Sequence, residues 1–303
     1  MISPPGPGEP WTVLHLIRWS AEYLEGKGVK GGRLDAEHLL AHSLGVQRLD
    51  LYLQFDRPLT GEELAGFRER LRRRARREPL QYIRGDTSFR ELELRTDRRA
   101  LIPRPETEEL VGLVLEWVGG AEGGKGRELS ALDLGTGSGA IALSLALEGP
   151  FARVLATDSS ADALELAREN RDRVSLPEGV EVEFRCGSLF DPLTIGERFH
   201  VVVSNPPYVA EEDGGGLEPE VGEWEPAGAL FAGAGGVAVL EPLVAGAGEW
   251  MHPGGLLALE VGSGQGGWVA ERIRDSREFH LPRVARDLSG KERFILAVRT
   301  GGD

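Results

Sequence analysis

The sequence predicts an α/β protein in which a mostly parallel, doubly wound sheet follows a small helical bundle. Three observations predict it. From Leu129 onward, apolar β-branched runs alternate with helical spacing, the pattern of strands joined through covering helices. The first of these strands runs into Asp133-Leu134-Gly135-Thr136-Gly137-Ser138-Gly139, a turn whose glycines let the backbone pass close to a ligand. The third is Val201-Val-Val-Ser-Asn205-Pro206-Pro207-Tyr208, a buried strand stopped by two residues that cannot donate to a ladder.

Composition bounds the rest. With 303 residues, 41% of them hydrophobic and 28% charged, the chain has room for one large α/β domain and a smaller one. A single cysteine, Cys186, excludes an internal disulfide and a four-thiolate metal site. His38 and His42 stand four apart on a predicted helix, but no acidic or Cys partner completes a ligand set, so they read as helix surface and no metal is expected. Met1 to Pro10 is rich in Pro and Gly without an apolar core, and no run of 18 apolar residues exists. The expectation is a cytoplasmic protein with no membrane partner, monomeric. The net charge of −14 is uneven: residues 1–100 carry 18 Lys and Arg against 15 Asp and Glu, residues 101–303 carry 17 against 34. An acidic field of that size repels bare phosphates, so no direct nucleic acid partner is expected for the carboxyl-terminal two-thirds.

The elements follow in order. Residues 11–25 and 33–44 show helical spacing, separated by Gly26, Gly28, Gly31 and Gly32, and a third helix covers 61–77 after a start signal at Pro58 to Thr60. Arg72, Arg73, Arg74, Arg76 and Arg77 crowd its end; the plain reading is a solvated face near a helix C-terminus, the functional one a docking patch for an acidic partner or RNA. Tyr82-Ile83 and Phe89 to Leu94, divided by Gly85-Asp86, read as a linking β-hairpin. Leu101-Ile-Pro-Arg-Pro-Glu-Thr107 is a stiff entry into a helix through Leu110, Val111, Val114 and Leu115, which Thr107 can cap. Gly119 to Gly126 is a flexible loop. Strands are then expected at Ala131 to Leu134, Arg153 to Thr157, Val180 to Arg185 and up to Ser204, with helices at Ala140 to Leu147 and Ala161 to Asn170. Glu211 to Gly216 reads as a mobile flap or a solvated insertion. A helix from about Val237 to Trp250, a strand from Gly255 to Val261 and an antiparallel edge pair near Pro282 to Asp287 and Arg293 to Val298 close the chain. The expected division is 1–78 helical, 79–99 hairpin linker and 100–303 catalytic.

The glycine turn implies an adenosine-bearing cofactor. A helix N-terminus leaves N–H donors free, and Asp158, at the end of the next strand, can take both hydroxyls of a ribose. Gly135-x-Gly137-x-x-Ala140 also satisfies a dinucleotide fingerprint, so the glycines alone do not choose. Two features favour S-adenosylmethionine. Asp133 suits a cationic amino-acid moiety and would repel a pyrophosphate. The Asn-Pro-Pro-Tyr turn is the other, since hydride transfer gives it no purpose.

Methyl transfer from a sulfonium is an in-line displacement that demands orientation and a competent nucleophile. A planar amide or aromatic amine nitrogen is a poor one, because its lone pair is delocalised. Acceptors at its two N–H positions can bend it toward tetrahedral; the Asn205 side-chain carbonyl and the Pro206 backbone carbonyl suit this, Pro207 stiffens the turn, and Tyr208 can pack on a planar group.

These residues resemble the class I methyltransferases that modify planar nitrogens. Asp35-Ala-Glu-His-Leu-Leu40, the Arg-rich helix, Glu78-Pro-Leu-Gln-Tyr-Ile83 and Leu101-Ile-Pro-Arg-Pro-Glu-Thr107 narrow the resemblance to the HemK/PrmC family, over about residues 11 to 299. The resemblance implies a Rossmann-like, mostly parallel seven-stranded sheet. It implies methylation of the glutamine N(5) in the Gly-Gly-Gln loop of class 1 peptide chain release factors, with the amino-terminal domain contacting that partner. It places Gly135, Thr136, Gly137, Ser138 and Gly139 at the methionine end of the cofactor, Asp158 on the ribose, and Asn205, Pro206, Pro207 and Tyr208 on the glutamine. Ser188 and Leu189 fall at the adenine, where the family usually has an acidic residue. Glu225-Pro226 and Gly290 to Arg293 fall among structural supports. Other acceptors compatible with the turn are a glutamine in a ribosomal protein and an adenine amine in nucleic acid.

Overall fold

The computed structural model describes residue 6 and residues 9–120 and 128–301, so most of the amino-terminal tail and of the loop expected at Gly119 to Gly126 lie outside the described residues. Two compact units emerge, and neither is one continuous piece of chain. The first is Met1–Gly85 with Glu218–Trp224; the second is Asp86–Leu217 with Glu225–Asp303. Among the described residues no helix is long and apolar enough to cross a membrane.

The first unit holds α1 (Val13–Glu25), α2 (Gly32–Leu44), α3 (Gly61–Ala75) and α4 (Leu80–Arg84). Thr12 caps α1, and Thr60 with Glu63 forms a reciprocal capping box on α3, which fixes where each helix begins. Leu16, Ile17, Leu24, Leu39, Leu40, Phe67 and Leu71 pack between them as its core. Three of the five crowded arginines are committed inside this unit. Arg73 pairs with Glu78 at 2.6 Å; Arg74, 6% exposed, binds Asp35 at 2.6 Å and Glu220 at 2.8 Å; Arg77 clasps both oxygens of Glu220. Glu220 arrives on α8 (Pro219–Gly222), in the short segment that returns to this unit.

Tyr82-Ile83 is not a strand. Pro79 at the amino end and Gly85, at φ 82, at the carboxyl end bound a single helical turn, α4, too short for periodicity to distinguish from extended chain. The hairpin is β1 (Asp86–Phe89) with β2 (Leu92–Arg95), turning through Arg90 at φ 50. Phe89, Leu92 and Leu94 are buried with Leu110 and Val114, so it is part of the second unit's core rather than a free linker.

The second unit is built on a seven-stranded sheet with β3 (Leu129–Leu134), β4 (Phe151–Asp158), β5 (Glu181–Cys186), β6 (Phe199–Ser204), β7 (Met251–Glu260), β8 (Arg283–Arg286) and β9 (Glu292–Val298), in the order β5-β4-β3-β6-β7-β9-β8. The first five pair in parallel; β9 runs antiparallel between β7 and β8. Two apolar layers cover it. Val201 and Val203 of β6 enter one layer and Val202 the other, which is why that strand reads as an unbroken apolar run. The helices are α5 (Pro105–Gly119), α6 (Ala140–Glu148), α7 (Ala161–Arg173), α9 (Leu240–Ala247) and α10 (Gly266–Ser276). No helix was expected at α10, because Gly262, Gly264, Gly266 and Gly267 resemble loop, although Val269, Ala270 and Ile273 bury a helical stripe. Glu211–Gly216 forms a 3-10 helix: the Glu211 N–H donates to the Gly233 carbonyl at 3.2 Å, and Glu212 accepts from the Gly235 N–H at 3.1 Å.

Chain order reverses at β3, whose neighbours are β4 on one side and β6 on the other. The carboxyl ends of β3, β4 and β6 therefore border the crevice where open α/β sheets bind ligands.

Candidate active site

Three turns converge at that crevice. After β3, Gly135, Gly137 and Gly139 have φ of 74, 55 and 85, backbone that side-chain-bearing residues rarely adopt. The Gly135 and Thr136 N–H groups both donate to the Thr157 carbonyl, at 2.9 and 3.0 Å, which ties the turn to β4. At the end of β4, Asp158 accepts from the Gly137 N–H and the Ser160 N–H, each at 2.8 Å, and burial raises its pKa. Asn170, in the interior of α7, donates to the Ser138 carbonyl at 2.9 Å and exchanges hydrogen bonds with the Arg95 backbone. An asparagine buried inside a helix was the available signal for this brace.

After β6, the Asn205 Nδ2 donates to Thr107 Oγ1 at 2.9 Å, and the Thr107 hydroxyl donates to Glu260 Oε2 at 2.7 Å. Thr107 is not the cap of α5. Arg104 holds the cap position and Pro105 opens the helix, so Thr107 is the third residue of the first turn and its hydroxyl is free for β7. Burial pushes Glu260 up to about 7, against the hydrogen bond from Thr107 and the positive charge of Arg293. Gln265 donates to the Tyr208 carbonyl at 3.1 Å and fixes the exit of the turn. Glu225, 6% exposed, accepts from the Ile102 N–H at 3.2 Å and from Arg104 at 2.6 Å, which holds the proline-rich entry in place.

The turns enclose a cavity of about 400 Å³. Gly135, Thr136, Gly137, Ser138, Asp158, Ser188, Leu189, Asn205, Pro206 and Pro207 all line it. Three expected site residues do not. Asp133 is fully buried behind the turn, where its Oδ2 accepts from the Thr136 hydroxyl at 2.6 Å and the Ala142 N–H at 3.1 Å. Gly139 packs against Ala167 and Leu143 at the start of α6. The Tyr208 ring lies under the Arg293 guanidinium at 6.0 Å and turns its hydroxyl toward Glu260 at 3.4 Å, so one of its faces and its hydroxyl are engaged within the protein. Reasoning from sequence missed Glu260 and the lining contributed by Pro226, Gly228, Ala229 and Val239.

Residues 15–85 match the PrmC N-terminal domain and residues 124–216 the methyltransferase small domain. A release factor glutamine methyltransferase of Geobacter sulfurreducens is 42% identical over 85% of this chain and 86% of its own. The chain belongs to the release factor glutamine methyltransferase family. Other members include those of Deinococcus radiodurans, 39% identical over 95% of this chain and 98% of its own, and Rhodopirellula baltica, 36% identical over 94% and 96%. The protein is thus a methyltransferase, and its sheet order with a reversed β9 is the class I methyltransferase fold. Within this family framework the cavity offers a glycine turn, a carboxylate at a strand end and an amide on a rigid turn.

Proposed function

We propose that this protein transfers a methyl group from S-adenosylmethionine to the side-chain amide nitrogen of the glutamine in the Gly-Gly-Gln motif of class 1 peptide chain release factors. The observation that carries the reading is that Asn205 and Pro206 line the same cavity as Gly135 to Ser138 and Asp158. The cofactor fits what is there. A Cβ added to Gly135 would meet nothing within 4 Å, so the turn opens onto free space. Among the described residues Asp133 Oδ1 is buried without a hydrogen-bond partner, so once this carboxyl ionises, above its raised pKa of about 7, it places negative potential behind that turn for a cationic ligand. Gly135 to Ser138 would hold the methionine end, Asp158 the ribose, and Ser188 with Leu189 the adenine.

When bound, S-adenosylmethionine supplies an electrophilic methyl group. Asn205 Oδ1 and the Pro206 carbonyl accept the two N–H bonds of the glutamine amide and aim its lone pair at the methyl carbon. The nitrogen–carbon bond forms as the carbon–sulfur bond breaks, and the extra amide proton leaves to water afterwards. Catalysis is therefore mainly positional. In this reading the helical unit, which matches the PrmC N-terminal domain over residues 15–85, docks the protein substrate, and the relatives' names supply only that the substrate is a release factor.

Purified release factor, ribosomal protein and DNA are offered labelled cofactor in parallel. Label is expected on the release factor and absent when its motif glutamine is replaced by alanine; label only on DNA, or only on the ribosomal protein, overturns the reading. Asn205→Ala is expected to bind cofactor within about twofold of wild type and to lose transfer by roughly 100-fold or more, because it removes an acceptor rather than the pocket.

A further inference from the structure

We propose that Thr107 and Glu260 are positioning residues that set which end of the Asn205 amide faces the substrate. The proposal rests on the acceptor role given to Asn205 above. An asparagine side chain is nearly symmetrical in shape, so packing alone does not distinguish its oxygen from its nitrogen; the hydrogen-bond network has to. As an acceptor for a glutamine N–H, Asn205 must present Oδ1.

The chain of bonds enforces that choice once Glu260 is ionised, above its raised pKa of about 7. Glu260, 1% exposed, accepts at both oxygens when ionised, so the single proton of the Thr107 hydroxyl is drawn to it at 2.7 Å. Thr107, 4% exposed, then has only lone pairs left for Asn205. The amide must turn its NH2 there, as it does at 2.9 Å, because Oδ1 in that place would set lone pair against lone pair. The carbonyl is thereby directed away from Thr107. A carboxylate at 260 does this whichever oxygen it presents; an amide could present either a donor or an acceptor and would not guarantee it.

The placement is costly for a purely structural contact. Glu260 lies between the buried Leu259 and Val261, beside a second acid, Glu106, with Arg293 and the Tyr208 hydroxyl as its other polar neighbours. An apolar side chain would suit that stretch of β7 better.

Thr107→Val keeps the shape and removes the hydroxyl. It is expected to lower kcat for release factor methylation by about 10- to 100-fold. KM for either substrate and affinity for S-adenosylhomocysteine by calorimetry should stay within about threefold of wild type. Thr107→Ser restores most of the loss, and Glu260→Leu reproduces it. A second readout does not depend on turnover. The chain contains only two asparagines, Asn170 and Asn205, so selective ¹⁵N-asparagine labelling gives two side-chain amide pairs. In Thr107→Val the Asn205 pair should move toward free-amide shifts and exchange faster. The Asn170 pair, held by the Arg95 and Ser138 carbonyls, should not move and so reports an intact fold. An unchanged Asn205 pair, or full kcat in both Thr107→Val and Glu260→Leu while Asn205→Ala is inactive, overturns the proposal. Full transfer by Asn205→Ala overturns instead the acceptor role on which it rests.

Discussion

Asp133 shows how much a single rotamer decides. The carboxylate occupies the position expected for a cationic ligand, two residues before the first glycine, yet it turns inward and secures Thr136 and Ala142. Burial pushes its pKa up to about 7, the charge of Asp158 adds to this, and the two hydrogen bonds oppose it. The sign for stability follows. The folded chain holds this proton up to about pH 7, whereas the unfolded chain releases it near pH 4, so stability declines as pH rises through that window and the full penalty applies above it. Asp133→Asn is therefore expected to melt several degrees higher than wild type at pH 8, with the difference shrinking by pH 5, in thermal unfolding followed by circular dichroism. At pH 8, where Asp133 is ionised, the variant should also bind S-adenosylmethionine more weakly, by roughly three- to tenfold, because charge behind the turn is lost, and the difference should fade by pH 5. Sequence disclosed where Asp133, Asp158 and Asn205 stand, since each sits at a strand end. It did not disclose which way Asp133 points, nor the Asn205–Thr107–Glu260 chain, whose partners lie 98 and 153 residues apart.

At the level of elements, the turn after β6 depends on a neighbour that carries no chemistry. Gly236, at φ +67, passes so close that a Cβ there would run into the Tyr208 carbonyl, and Gln265 bridges the two by donating to both backbones. Gly236→Ala should shift the Asn205 turn and lower kcat by about tenfold or more, with cofactor affinity by calorimetry nearly unchanged, since Gly135 to Ser138 are held separately by Thr157 and Asn170. The parallel strands and α6 were legible because apolar runs, glycines and prolines bound them. Elements that broke those signals were not. Glycines hid the start of α10, and α4 offered a single turn between Pro79 and Gly85. Thr107 looked like a cap because Pro105 and Thr107 both favour helix starts, and only the backbone shows which of them opens α5.

Across the whole molecule, the charge asymmetry takes a different meaning once the units are known. Residues 1–85 carry 14 Lys and Arg against 11 Asp and Glu, and Glu218, Glu220 and Glu223 return to that unit with the opposite excess of three. The basic surplus that suggested a docking patch is thus balanced by the protein's own chain, and among the five clustered arginines Arg72 and Arg76 remain exposed. Glu220→Ala removes a partner of the buried Arg74 and of Arg77 together. Because Arg74 keeps Asp35, the substitution is expected to destabilise the helical unit by about 1–3 kcal/mol, measured as an earlier urea transition of the full-length protein. The same clasp sets a timetable for biosynthesis. Arg74 and Arg77 are made early, but Glu220 follows more than a hundred residues later, a delay on the order of ten seconds at roughly 5–20 residues per second. The part of the chain translated first is therefore completed late: Arg74 has Asp35 from the start, but it and Arg77 lack Glu220 until much of the methyltransferase sheet has emerged.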